Sequence, residues 1–140
     1  KLERAKALGA DECINYAKED WAAAVWQRTG KRGVDVVLEN VGAATWKHSL
    51  RVLAKGGRLV TCGATSGPKG ETDIRVLFWR QLRLIGSTMA TRKEFGDVMR
   101  ELFRGTLKPI VDRVFPLKDG AEAQRLLAEG KQFGKLVLVP

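Results

Sequence analysis

Cysteine and histidine are scarce in this 140-residue chain, which holds two cysteines, Cys13 and Cys62, and one histidine, His48. Zinc and iron–sulfur sites are built from clusters of these residue types, so we expect no metal site within the chain. Two isolated thiols without a CxxC pair are more typical of a reducing compartment than of a disulfide framework. Since no signal or transit pattern opens the sequence, these features predict a cytoplasmic protein.

Long apolar runs are also missing, since no stretch approaches the ~20 residues that a membrane-spanning helix needs. A hydrophobic fraction of 44% beside a charged fraction of 29% excludes a disordered tail and predicts a globular domain. The formal net charge is +9, but the basic residues are scattered from Lys1 to Lys135 without a block. Such scatter is typical of solvated helix faces and makes nucleic acid an unexpected partner.

The motifs GxGxxG, GxxxxGK[ST], GxSxG and HExxH are absent. His48 and Ser49 are neighbours on a predicted helix, so their side chains diverge and cannot form a nucleophile pair. Asp35 and Glu39 lie within and at the end of an apolar run, which makes them candidate buried acids, although Asp35 also suits a hydrogen bond to a nearby loop. Cys62 falls in a predicted core strand and is expected to be an inert small apolar residue. We therefore expect no catalytic residue in this chain.

Short apolar runs alternate with amphipathic helical patterns along the sequence. The run Val34–Glu39 is β-branched and almost continuously apolar, which is typical of a strand buried on both faces of a parallel sheet. The predicted helices cover residues 1–8, 20–28, 45–53, 74–81, 93–104 and 121–129, and the predicted strands cover 12–15, 34–39, 58–62, 83–87, 111–115 and 135–139. This alternation predicts an α/β fold with a doubly wound parallel sheet.

The first predicted helix ends at Gly9 but has no capping residue before Leu2, and no initiating Met precedes it. We therefore expect the chain to be part of a longer protein. A composition shift at Gly105–Pro109 predicts a boundary between residues 1–105 and residues 106–140.

Three predicted strands end in a glycine beside small side chains, in the segments 40–42, 63–67 and 86–88. Glycine lets a flat ligand approach the backbone, and free amides with small hydroxyls supply directional hydrogen bonds. Because ligands bind at the carboxyl ends of parallel strands, we predict one shared crevice. This hypothesis requires Asn40, Thr65 and Ser87 to lie at one edge of the sheet.

Six segments carry a further pattern, namely Lys1–Asp11, Ile14–Tyr16, Val34–Gly42, Gly57–Gly63, Arg80–Met89 and Gly134–Leu138. In order and spacing they resemble the medium-chain dehydrogenase/reductase superfamily of zinc alcohol dehydrogenases and quinone oxidoreductases, over nearly the whole chain. The resemblance implies a Rossmann-like domain truncated at its N-terminal half. Residues 1–105 would be the rest of the NAD(P)-binding domain, and residues 106–140 would return toward the catalytic domain.

The resemblance also implies residues for the adenosine half of NAD or NADP. Lys1 is expected beside the adenosine ribose, and Tyr16 on the adenine side. Asn40 and Val41 resemble the segment that passes beneath the adenosine and pyrophosphate.

For the nicotinamide half, the resemblance implies a second set of residues. Gly63, Ala64 and Thr65 would meet the nicotinamide ribose and carboxamide. Ser87 and Thr88 follow the strand that faces the nicotinamide.

The parent enzyme implied by the resemblance transfers a hydride between NAD(P) and an alcohol/carbonyl or quinone substrate. The run Phe78–Gln81 resembles the zinc-dependent branch, but any catalytic zinc would be held upstream of Lys1, as would the phosphate loop. The chain alone is therefore expected to bind cofactor feebly and to catalyse nothing. The resemblance implies a homodimer or tetramer formed through the edge strand Leu82–Ser87.

Two other functions remain open from the sequence. A methyltransferase would suit the run from Val34 to Val60, but it predicts an antiparallel hairpin after residue 107, where a helix is expected here. A non-enzymatic dimerisation or RNA-binding module would use the basic charge.

Overall fold

The computed structural model describes residues 1–140, which divide into two compact units, Leu2–Met89 and Ala90–Pro140 together with Lys1. Helices alternate with parallel strands in the chain, so the predicted α/β class is confirmed. The predicted boundary at residues 105/106 concerns the parts of a longer protein and stays a prediction. None of the helices has the length and the apolar character that a membrane-spanning segment requires.

The first unit contains a parallel three-stranded sheet in the order β1-β2-β3. The strands are β1 (Val34–Glu39), β2 (Leu53–Thr61) and β3 (Arg83–Gly86), and the helices are α1 (Leu2–Ala7), α2 (Trp21–Arg28), α3 (Trp46–Arg51) and α4 (Ile74–Trp79). The predicted cap of α2 is confirmed, because the Asp20 carboxylate accepts hydrogen bonds from the Ala22 and Ala23 amides at 3.0 Å each.

The core of this unit lies between α3 and the sheet. Leu53 and Leu59 are fully buried, and Leu50 of α3 packs beside them. Partly buried apolar side chains close the cluster, namely Val34, Val37, Trp46 and Leu82. The core of the first unit is thus formed by one helix packed on a parallel sheet.

Two strand predictions are wrong. Residues 12–15 form no strand. β1 is not buried on both faces, because α3 packs on the face that carries Val37 and leaves Val36 46% and Leu38 72% exposed. The apolar residues of β1 therefore lie on both faces of the strand, although only one face is covered.

The junction between α3 and β2 also differs from the prediction. The helix ends at Arg51 rather than at residue 53, and the strand begins at Leu53 rather than at residue 58. The Val34 amide donates to the Val52 carbonyl at 2.9 Å, so strand pairing begins where helical pairing was expected. A register shift between Val34 and Val36 accommodates the extra residues of β2.

The second unit contains a parallel pair of strands, β4 (Val111–Pro116) and β5 (Lys135–Val139). Its helices are α5 (Arg92–Phe103), a short 3-10 turn (Leu117–Asp119) and α6 (Gly120–Ala128). Thr91 and Glu94 form a capping box that begins α5. Only Ala123 of this unit is a buried apolar residue.

Candidate functional site

The carboxyl ends of β1, β2 and β3 lie side by side at one edge of the sheet. The register pairs Glu39 with Thr61, and Thr61 with Gly86, so the three strands end at the same level. The Thr65 hydroxyl donates to the Asn40 carbonyl at 3.2 Å, and the Ser87 amide donates to the Thr61 carbonyl at 2.9 Å. The predicted juxtaposition of Asn40, Thr65 and Ser87 is therefore present.

The segments after β1 and β2 are joined by further hydrogen bonds. The Ser66 amide and hydroxyl both donate to the Val41 carbonyl at 2.7 Å, and the Ser66 hydroxyl accepts from the Ala44 amide at 3.0 Å. The Ala43 amide donates to the Gly67 carbonyl at 3.1 Å. These hydrogen bonds hold the segment after β1 against the segment after β2.

The glycines at the carboxyl ends of the three strands have different roles. A Cβ at Gly63 would lie 2.9 Å from the Asn40 carbonyl oxygen, and a Cβ at Gly42, whose φ is +91°, would lie 2.6 Å from the Gly67 carbonyl oxygen. These two glycines therefore allow the segments to approach each other, where the sequence predicted approach to a ligand. A Cβ at Gly86 would meet nothing within 4 Å, so the backbone there faces open space.

Glu39 ends β1 and is only 3% exposed. Its Oε1 accepts from the Val41 amide at 2.8 Å, the Gly42 amide at 3.1 Å and the Thr45 hydroxyl at 2.9 Å. Its Oε2 accepts from the Thr45 hydroxyl at 2.9 Å and from the Ser49 hydroxyl. Burial acts to raise the pKa of Glu39, but these hydrogen bonds outweigh burial and hold the pKa below its usual value.

A groove of about 490 Å³ lies beside the exit of β1. It is lined by Asn40 and Val41 and by Tyr16, which is 79% exposed. Its walls are mainly apolar and include Trp21 and His48, whose rings meet edge to face with centroids 6.0 Å apart. Three of the predicted cofactor residues, Tyr16, Asn40 and Val41, therefore share one groove.

The remaining predicted site residues fall in different places. Gly63 and Ala64 line a smaller cavity of about 260 Å³ beside Gly42 and Gly67. Thr88 is exposed directly after Ser87 at the exit of β3. Lys1 is grouped with the second unit, where its ammonium donates to the Gly130 carbonyl.

Two of the side-chain expectations need correction. Cys62 is exposed rather than part of the core, because β2 ends at Thr61 and the thiol lies at the strand exit. Asp35 is exposed rather than buried, and it pairs with Arg32 at 2.5 Å, which lowers its pKa chiefly through that hydrogen bond. Of the two candidate buried acids, Glu39 alone is buried.

Three hydroxyl groups that hold the segments after β1 and β2 in place were not predicted from the sequence, namely those of Thr45, Ser49 and Ser66. Thr45 and Ser49 are four residues apart, so they lie on one face of α3 and both donate to Glu39. Spacing alone could have paired them with the acid that ends β1. Ser66 gave no comparable signal, since its partners depend on how the second segment folds back.

Comparison with known proteins identifies the family. The family model described as zinc-binding dehydrogenase matches residues 8–138. The chain belongs to the zinc-binding dehydrogenase family. The predicted membership of the medium-chain dehydrogenase/reductase superfamily is thereby confirmed.

Relatives of this chain are longer proteins. The chain is 35% identical to a crotonyl-CoA reductase of Streptomyces avermitilis, over 100% of this chain and 36% of that protein. It is 30% identical to quinone oxidoreductase 1 of Escherichia coli, over 100% of this chain and 46% of that protein. The crystal structure of an NAD-dependent alcohol dehydrogenase is 44% identical and matches with a TM-score of 0.89, over 100% of this chain and 41% of that one. The chain thus spans less than half the length of these relatives.

The side chains present do not form a metal centre. No group of three or more His, Cys, Asp or Glu residues is placed to hold a metal ion.

Proposed function

We propose that this chain is the cofactor-binding part of an oxidoreductase that transfers a hydride between NAD or NADP and an alcohol/carbonyl or quinone substrate. The observation that carries the proposal is the alignment of three strand exits, joined by the Thr65–Asn40 and Ser87–Thr61 hydrogen bonds. Ligands of parallel α/β sheets bind at such an edge. The related crotonyl-CoA reductase, quinone oxidoreductase and alcohol dehydrogenase support the same class.

The exposed groups at this edge suit a dinucleotide. The mainly apolar groove beside Tyr16, Asn40 and Val41 has walls that suit a flat ring, and polar residues such as Asn40 are among its lining. The open backbone at Gly86 and the exposed Ser87 and Thr88 would hold the nicotinamide half, together with Gly63, Ala64 and Thr65. Lys1 is proposed beside the adenosine ribose on the resemblance alone.

The nicotinamide supplies the hydride chemistry, and the chain's own residues bind and orient it. Asn40 and Val41 would support the adenosine and pyrophosphate from below. The residues proposed for the nicotinamide half include no carboxylate, histidine or lysine, so they would position the ring and would not transfer a proton. A catalytic zinc, where the longer protein uses one, would be held outside this chain.

The methyltransferase alternative is less consistent with the end of the chain. It requires an antiparallel terminal hairpin, whereas β4 and β5 are parallel with α6 between them. The basic residues are scattered along the sequence without a block, so they do not favour the RNA-binding alternative. The dehydrogenase proposal accounts for both features.

The test is a calorimetric titration of the full-length protein with NADH and, separately, with NADPH. We expect at least one of them to bind, and the stronger of the two will give the cofactor preference. The 140-residue chain alone should bind much more weakly. Absence of heat with both nucleotides would count against the proposed function.

We further propose that the protein is a homodimer or tetramer through β3. All four residues of β3 are exposed, among them the apolar Leu84 and Ile85, and β3 is an edge strand that pairs only with β2. An uncovered edge of this kind favours pairing with a second copy. Cytoplasmic location likewise remains part of the proposal.

Light scattering after size exclusion tests the assembly. Ile85→Lys should convert the full-length protein to monomers, because a charge would enter the paired edge. Phe103→Lys, at an 82% exposed position of α5, is the matched control and should leave the mass unchanged. A monomeric wild-type protein would contradict the proposal.

A further inference from the structure

We propose that Glu39 is a positioning residue, which holds the segments after β1 and β2 in the arrangement that binds the cofactor. The inference rests on the proposed function and deepens it, because it assigns a role to a buried residue that acts through Val41 and Gly42. Three observations carry it: the donors around the carboxylate, the link from Val41 to the next segment, and the contrast with Asp35.

The carboxylate of Glu39 is surrounded by donors. The Val41 and Gly42 amides, at 2.8 and 3.1 Å, come from the segment after β1, while the Thr45 and Ser49 hydroxyls come from the cap and body of α3. An ionised carboxylate only accepts hydrogen bonds, so this set suits the charged form. A charge buried to this degree is stable only with such partners. The carboxylate therefore ties the first segment to both the strand and the helix.

The same residue reaches the second segment through Val41. The Val41 amide is held by Glu39, and the Val41 carbonyl accepts both hydrogen bonds from Ser66 at 2.7 Å. Ser66 is two residues beyond Ala64 and one beyond Thr65, in the segment proposed to meet the nicotinamide half. Loss of the Glu39 charge should therefore move both segments relative to each other.

Asp35 shows that this role is not shared by every acid of β1. It lies four residues earlier in the strand, its side chain is 67% exposed, and its partner is Arg32 at 2.5 Å. No hydrogen bond joins it to the segments after the strands. Asp35→Asn is thus a matched control, since it removes the same charge from the same strand.

The experiment compares Glu39→Gln, Ser49→Ala and Asp35→Asn in the full-length protein. Nucleotide fluorescence gives the Kd for NADH and NADPH at a temperature well below the melting midpoint of each variant, which circular dichroism determines. Glutamine cannot accept all of these bonds because its amide NH₂ would face a donor. We expect Glu39→Gln to raise the Kd of the preferred nucleotide about tenfold, the size that loss of a charged hydrogen bond gives. Ser49→Ala should raise it less, and Asp35→Asn should leave it unchanged.

The Kd separates positioning from a merely structural role, since a residue that only stabilises the fold changes the melting temperature and not the affinity of the folded protein. A folded Glu39→Gln variant with wild-type Kd would overturn the positioning role. If that variant does not fold, Ser49→Ala decides: a raised Kd supports the role and an unchanged Kd overturns it. A wild-type protein that binds neither nucleotide instead contradicts the proposed function itself.

Discussion

The parallel pair β1–β2 of the first unit and the pair β4–β5 of the second begin in the same way. Gly33 precedes β1 and Gly134 precedes β5, with φ of +86° and +106°. The next amide then donates to a carbonyl of the partner segment, Val34 to Val52 at 2.9 Å and Lys135 to Ile110 at 2.8 Å. Both strand pairs thus begin with a glycine of positive φ followed by a hydrogen bond between the two segments.

The two pairs differ in what covers them. Leu53 and Leu59 of β2 are fully buried under α3, whereas Ala123 of α6 is the only buried apolar residue in the second unit. Backbone conformation therefore sets where a strand begins, and side-chain burial sets how much its pairing contributes to stability. Three predictions test this division, in order of decreasing effect.

The largest effect is expected in the covered pair. Leu59→Ala removes a fully buried side chain from the middle of the cluster and should lower the free energy of unfolding by about 3 kcal/mol. Val114→Ala in β4, where the side chain is 59% exposed, should change it by less than about 0.5 kcal/mol. Urea unfolding followed by circular dichroism gives both values. Equal losses would mean that burial does not distinguish the pairs.

The next effect should be alike in both pairs. Gly33→Ala places a Cβ 2.5 Å from the Val52 carbonyl oxygen, and Gly134→Ala places one against the Ile110 carbonyl. Because an alanine is also unfavourable at these φ values, each substitution should lower the free energy of unfolding by about 2 kcal/mol. Hydrogen exchange should show lost protection at the Val34 amide in the first variant and at the Lys135 amide in the second.

Gly9→Ala is the control for these glycine variants. Its φ is +102°, but a Cβ there would meet nothing within 4 Å. Gly9→Ala introduces the backbone strain but no steric clash. It should therefore lower the free energy of unfolding less than Gly33→Ala or Gly134→Ala does. If Gly9→Ala lowered the free energy of unfolding as much as the other two variants, the whole effect would come from φ and none from the close approach of the paired strands.

These differences explain what the sequence could predict. β1 was predicted with its observed bounds, because β-branched apolar runs report strand formation directly. The exposure of Leu38 was not predicted, because which face of a strand is covered depends on where the helices pack, and α3 packs on the face that carries Val37. The predicted strand at 12–15 fails for a related reason, since local pattern cannot supply a pairing partner.

The candidate site shows the same limit. Its location followed from the strand ends, because parallel strands bring their carboxyl ends to one edge. The bonds that fix it were not visible in the pattern: Ser66 reaches Val41 across 25 residues, and the exposure of Cys62 depends on where β2 stops. Long-range contacts of this kind are set by the folded backbone rather than by local residue type.

The smallest expected effect is a dependence of stability on pH, which compares one carboxylate in each unit. The pKa of Glu39 is lowered because hydrogen bonds from Ser49 and its neighbours outweigh burial, and the pKa of Glu94 is lowered by hydrogen bonds from Thr91. A pKa below its unfolded value of 4.5 gives stability that is present above pH 4.5 and is lost as the pH falls through the folded value. Urea unfolding between pH 7 and pH 3 should therefore show a loss of stability toward acid. Glu39→Gln should flatten this loss more than Glu94→Gln, because four donors surround the Glu39 carboxylate, whereas Thr91 alone donates to Glu94, which is open to water that screens its interactions. An equal flattening by both variants would mean that the additional donors do not strengthen the contribution of Glu39.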